Sequence, residues 1–292
     1  MELHDDRALA LREAIDASLS SAFSICEPAP SVRHRDFMVP RDDGGTTLVR
    51  CYTRVGSQPG SAVVYVHGGG MVAGSIDVYD PFIREHVQWT GVPMFAVEYR
   101  RPPEVKRELP ARDVFAAVRW LKARADQFGV DPRRIAIMGD SGGGGIGAAA
   151  AIMARDEGVS LAAQILIFPM LDDRNTQPGV HLVDGATWSH EENALCWGAL
   201  LGTEPGAPDV SPYSAPARLS HFVGMAPAYI EVGALDIFRD ECIEYARNLS
   251  ASGVETELHV YRGALHGYDT IERNTPFARR WRADRIDRIT AL

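Results

Sequence analysis

Apolar residues along this 292-residue chain recur with two different periods. Near the start, Leu11, Ile15, Leu19 and Phe23 return every four residues, which predicts an amphipathic helix over 5–23 with one buried stripe. After the proline-containing "CEPAPSV", residues 34–39 and 47–54 flank the turn "RDDGG" and predict two strands. From residue 61 the pattern changes. "SAVVYVHGG", "VPMFAVEYR", "RIAIMG" and "LAAQILIFPML" are short, continuous apolar runs and predict buried strands. Between them, "YDPFIREHVQWTG", "LPARDVFAAVRWLKARADQFG" and an alanine-rich stretch predict helices. Strands of this kind separated by helices predict an α/β fold with a mostly parallel sheet covered on both faces.

Residues 173–224 break the rhythm. "TWSHEENALCWGALLG" can be helical, but its flanks carry Pro, Gly, Asp and Ser without strand character, so an insertion packing over the sheet as a lid is expected. The alternation resumes with the strand "PAYIEVGALD", the helix "RDECIEYARNLSASG", the strand "ETELHVYRGALHGY" and a last helix from about Phe277.

Composition narrows the function classes. A hydrophobic share of 46% with 24% charged residues belongs to a globular chain with a sizeable core. The formal net charge of −9 argues against a nucleic-acid partner, which would want a basic face. Cys26, Cys51, Cys196 and Cys242 are far apart and form no C-x-x-C pair, so they read as buried or incidental thiols of a reducing compartment and not as a disulfide frame or zinc site. The N-terminus carries acids where a signal peptide needs positive charge, and no stretch approaches the roughly 18 apolar residues of a membrane helix. The expectation is a soluble, cytoplasmic protein without a membrane partner, for which a homodimer is compatible. No histidine pair has zinc-ligand spacing, so no metal is expected.

The candidate chemistry lies in "RIAIMGDSGGGGIGAAAA". Gly142, Gly144 and Gly147 spell G-x-G-x-x-G, the phosphate-approach pattern of dinucleotide-binding folds. Gly139 to Gly143 spell G-x-S-x-G, the sharp strand-to-helix turn that exposes a nucleophilic serine. The first reading wants an acid after the next strand, and Asp172 and Asp173 are there. It nevertheless puts its glycines on the third strand of the alternating region, where such a fingerprint normally opens the first, and it leaves Ser141 unused. No G-K-[ST] follows, which excludes a P-loop.

The serine reading makes more demands, and the chain meets them in order. A serine hydroxyl needs a base within hydrogen-bond reach and an acid to orient that base. "YIEVGALD" ends on Asp236 and "LHVYRGALHG" carries His266, each after a later strand. The oxyanion formed on attack needs N–H donors, which Gly68 and Gly69 of "YVHGGG" and Gly142 after the serine can supply. The expected catalytic set is Ser141, Asp236 and His266, with Gly68, Gly69 and Gly142 as the oxyanion hole. Against it stand blander readings: Ser141 as a helix N-cap, His67 as a brace for the glycine loop, and His259 as a packed or surface residue of its strand. Asp240 is expected to cap the helix "RDECIEYARNL". Tyr79, Trp188 and Trp197 can line a pocket or pack a core.

Taken together, "HGGG", "EYRRPPE", "LPARDVFAAVRWL", "GVDPRRIAIMGDSGGG", "FPMLDDR", "LDIFRDE" and "GALHGY" resemble the hormone-sensitive-lipase-like branch of the α/β-hydrolases, which includes bacterial esterases and arylacetamide deacetylases. The chain departs from the family pattern in having glycine at all of positions 142–145, Met71 where an aromatic often follows H-G-G-G, and Ile237 where proline is usual. The resemblance implies a single α/β-hydrolase catalytic domain over 1–292, with a helical cap made of about 1–45 and the insertion at 173–224. It implies a cofactor-free serine carboxylesterase that takes a small-molecule ester, with short acyl chains favoured, through an acyl-enzyme. It leaves open a non-catalytic binding protein of the same fold, as in the plant hormone receptors, and a hydrolase for an amide, a lactone or a secondary-metabolite ester.

Overall fold

The apolar runs become the inner strands of one sheet. The computed structural model describes residues 2–176, 187–273 and 275–292. Among the described residues, eight strands run in the spatial order β1-β2-β4-β3-β5-β6-β7-β8. They are β1 (Val32–Pro40), β2 (Thr46–Arg54), β3 (Ala62–Val66), β4 (Met94–Val97), β5 (Ile135–Asp140), β6 (Gln164–Ile167), β7 (Ala228–Gly233) and β8 (Thr256–Tyr261). β1 and β2 form an antiparallel hairpin with Val32 opposite Arg54, and β2 is antiparallel to β4. The remaining neighbours are parallel. β3 to β7 are buried along their whole length, which is why they read as unbroken apolar runs, whereas the edge strands β1 and β8 carry exposed residues.

The helices are α1 (Glu2–Phe23), α2 (Ile76–Thr90), α3 (Leu109–Lys122), α4 (Gly142–Asp156), α5 (His190–Leu201), α6 (Arg239–Ala251), α7 (Tyr268–Ile271) and α8 (Pro276–Thr290). α3 packs beside α4, and α2 beside α1 and α8. α2 begins three residues before the expected Tyr79 because the Ser75 hydroxyl accepts the Val78 N–H and caps it there. At its other end Gly91 takes the left-handed conformation. Among the described residues no helix is long and apolar enough to cross a membrane.

Of the N-terminal stretch of about 1–45 assigned to a cap, α1 lies against α5 and α2, while residues 32–40 are sheet strand β1. The insertion at 173–224 contributes α5, opened by a capping box between Ser189 and Glu192. Its residues 177–186 lie outside the described residues.

Candidate active site

β5, β7 and β8 run in parallel, so the loops that follow them emerge at one edge of the sheet. Ser141 stands between β5 and α4 with φ +54° and ψ −123°, a conformation that costs a non-glycine residue energy. Its backbone is held on both sides. The Ser141 N–H donates to the Ile167 carbonyl at 2.9 Å, and its own carbonyl accepts from Met170 N–H at 3.0 Å. Ser141 occupies the N-cap position of α4, but its hydroxyl makes no cap hydrogen bond. That hydroxyl lies 2.9 Å from His266 Nε2 instead.

His266 Nδ1 lies 2.8 Å from Oδ2 of Asp236, whose side chain is fully buried. An ionised carboxylate can only accept, so this contact places the ring proton on Nδ1 and leaves Nε2 as an acceptor facing Ser141. The other Asp236 oxygen accepts the Phe238 N–H at 2.9 Å, which fixes the carboxylate in its turn. The rings of Phe168 and Phe238 meet the imidazole edge-on at 4.9 and 5.1 Å. The loop carrying His266 is tied down from below. Asp269 accepts from Arg285 Nη1 of α8 at 2.9 Å, Arg285 Nη2 donates to Glu231 on β7, and Tyr268 donates to Glu231 at 2.6 Å. Asp240 does not cap α6 as expected. Phe238 takes the N-cap position, and Asp240 lies in the first turn, paired with Arg239. The turn that fixes Asp236 leads directly into α6 at Arg239, so Asp240 falls inside the first turn and not at the cap. His259, expected to be packed or at the surface, is half-buried against Glu257 at 2.7 Å.

The glycines pack backbone on backbone. A Cβ on Gly143 would collide with the carbonyl oxygens of Val66 and His67, and one on Gly142 with the Met71 nitrogen. The elbow is thereby pressed against the loop that leaves β3. In that loop Gly69 and Gly70 have φ +108° and +59° and line the cavity beside Ser141. Gly68 lies behind them, where a Cβ would come 2.6 Å from the Tyr79 hydroxyl. Gly144 is pressed against Pro169, and Asp173 is fully buried and bound by two Arg218 contacts of 2.7 and 2.8 Å. The G-x-G-x-x-G glycines therefore serve packing, and Asp173 is already engaged. His67 braces the loop: its Nδ1 lies 3.0 Å from the Gly68 carbonyl and its ring stacks on Tyr99 at 4.3 Å. Burial pushes its pKa down to about 3, so the ring stays neutral where it braces the loop.

The serine opens into a cavity of about 370 Å³. Leu11, Ile15 and Leu19 of α1 form one wall, with Phe168, Trp188 and Ile271 on others. Tyr79 and Trp188 thus line the cavity as the sequence allowed, whereas Trp197 is wholly buried and is not among the lining residues. Sequence reasoning passed over Asp140, which is buried next to the serine and also lines this cavity. Its two oxygens accept the hydroxyls of Tyr65 at 2.5 Å and Tyr79 at 2.8 Å. Burial pushes its pKa up to about 6, although both tyrosine donors favour the ionised form. Among the described residues, no group of three or more His, Cys, Asp or Glu is placed to hold a metal.

Known proteins share this arrangement of strands. A family model described as an alpha/beta hydrolase fold matches residues 63–270. An ethyl acetate hydrolase of Pseudomonas putida is 32% identical over 238 residues, covering 80% of this chain and 74% of the relative. Carboxylesterase NlhH of Mycobacterium tuberculosis is 33% identical over 220 residues, covering 74% of this chain and 69% of the relative. Among solved structures, a bacterial heroin esterase superposes with a TM-score of 0.89 at 35% identity, over 96% of this chain and 90% of that one. With the sheet order, the strand-to-helix turn at Ser141 and this breadth of match, the chain belongs to the α/β-hydrolase fold family, in its hormone-sensitive-lipase-like branch.

Proposed function

We propose that this protein hydrolyses small carboxylic esters, with Ser141 as nucleophile, His266 as general base and acid, and Asp236 as the group that orients the imidazole. The observation that carries the reading is the unbroken contact chain at the cavity floor, 2.9 Å from Ser141 Oγ to His266 Nε2 and 2.8 Å from His266 Nδ1 to Asp236. Nε2 takes the hydroxyl proton as Oγ attacks the ester carbonyl, and the imidazolium is stabilised by Asp236. The N–H groups of Gly68, Gly69 and Gly142 receive the oxyanion. Two observations support this reading: Gly69 lines the cavity beside Ser141, and the Gly142 backbone packs on the Gly70–Met71 stretch of the same loop. His266 then protonates the leaving alcohol. Water activated by the same nitrogen releases the acid from the acyl-enzyme.

A cavity of about 370 Å³, walled by aliphatic and aromatic side chains, suits short acyl chains better than those of fats. The similarity to an ethyl acetate hydrolase and to carboxylesterases supports the same substrate class. The test is a series of p-nitrophenyl esters of graded acyl length given to wild type and Ser141→Ala. Wild type should favour the short esters, and the alanine variant should lose at least about 10³-fold in kcat. Comparable turnover by Ser141→Ala would remove the mechanism. A burst of rate only above the solubility limit of long-chain triglycerides would remove the substrate class.

A further inference from the structure

Helix α1 does more than wall the cavity. Leu11, Ile15 and Leu19 face it, while Arg12 and Asp16, one position further round the helix, reach the backbone of the loop after β3. Arg12 Nε donates to the Val72 carbonyl at 2.6 Å, and its Nη2 to the Pro102 carbonyl at 2.6 Å. Two bonds of 2.7 Å to Glu104 hold the guanidinium in that orientation. Asp16 Oδ1 accepts the Gly74 N–H at 2.7 Å. Inside the loop, the Ala73 N–H donates to the Gly69 carbonyl at 2.9 Å. The grips on residues 72 and 74 therefore flank the residue that is bonded to a cavity-lining glycine.

We propose that Arg12 and Asp16 are positioning residues that hold the 68–74 loop in register with Ser141, so that α1 sets the geometry of the oxyanion donors as well as roofing the substrate. The proposal rests on the ester-hydrolase reading above. Neither side chain is among the residues lining the cavity. Each acts through a backbone group, and their work is felt where donor placement matters most, in the transition state. Loss of the grip therefore lowers kcat and leaves substrate binding to the apolar face of the same helix. A helix serving merely as a roof would show the reverse, a raised KM with kcat kept.

The experiment compares wild type, Arg12→Ala, Asp16→Ala and Asp16→Asn on a soluble p-nitrophenyl ester, with amide hydrogen exchange followed over residues 69–74. Asp16→Asn keeps an oxygen at the accepting position and guards against a fold that fails for other reasons. Displacing the donors should lower kcat about tenfold in both alanine variants, with KM near the wild-type value. Asp16→Asn should stay near wild type, and the Gly74 amide should exchange faster in Asp16→Ala. A rise in KM alone, or an unchanged kcat in Asp16→Ala, overturns the proposal. So does equal loss in Asp16→Asn and Asp16→Ala. Should wild type turn over no ester, the functional reading fails by itself, and unchanged exchange at Gly74 in Asp16→Ala would separately show that α1 does not hold the loop.

Discussion

The two walls of the cavity are held by different means. On the sheet side, Gly139, Gly142 and Gly143 interlock backbone against backbone, with no room for one added carbon. On the α1 side, side chains reach across to carbonyl and amide groups, and Ala14 and Ser18, which also line the cavity, are themselves exposed. A wall made of main chain cannot adjust without moving a strand. A wall made of side chains on one helix can change residue by residue. The fixed wall carries Ser141, and the adjustable one is the apolar face of α1.

This contrast can be broken on the sheet side with the largest effect. In Gly143→Ala the new methyl would overlap the carbonyl oxygens of Val66 and His67, which are strand and loop backbone. We expect a loss of about 3 kcal/mol, the upper end for overpacking, with a fall of several degrees in Tm and a collapse of kcat. A variant that melts with wild type would mean that the elbow can shift after all.

Asp140 sharpens the comparison, because its charge lies on the fixed wall. Its folded pKa is pushed up to about 6 from 3.8, so the folded protein holds that proton more tightly than the unfolded chain. The stability this confers is complete below about pH 4 and is lost as the pH rises to about 6. A difference of two units corresponds to roughly 3 kcal/mol. Asp140→Asn does not titrate, so its stability relative to wild type should rise between pH 4 and pH 7. Denaturant midpoints measured across that range check this, and a constant difference would show that Asp140 does not ionise there.

The smallest effect belongs to the roof. Ile15→Ala removes apolar surface from the α1 wall, and we expect KM for a hexanoyl ester to rise by roughly fivefold, about 1 kcal/mol, with little change for an acetyl ester. An equal rise for both esters would separate Ile15 from chain-length selection.

How much of this was legible follows from where each signal resides. Ser141, Asp236 and His266 could be singled out because each stands just after a strand of the alternating region, and parallel strands deliver their ends to one edge whatever lies between. Asp140 was not, since its surroundings come from Tyr65 and Tyr79, which stand 75 and 61 residues earlier in the chain. Arg12 and Asp16 escaped because the apolar stripe explains α1 by itself, and their partners are backbone groups that leave no trace in side-chain pattern. The glycine run suggested two chemistries until packing showed what each glycine touches. Asp240 misled because a favoured cap residue lies next to a turn already organised by Asp236.

The Arg285 anchor beneath the His266 loop has a consequence for synthesis. Arg285 follows Ser141, Asp236 and His266 in the chain, yet it joins Asp269 of the short helix after His266 to Glu231 on the strand that precedes Asp236. A ribosome adds residues at roughly 5–20 per second, so Ser141 exists for seconds before Arg285 has been made. The ties beneath the His266 loop can therefore close only after every residue they hold has been made.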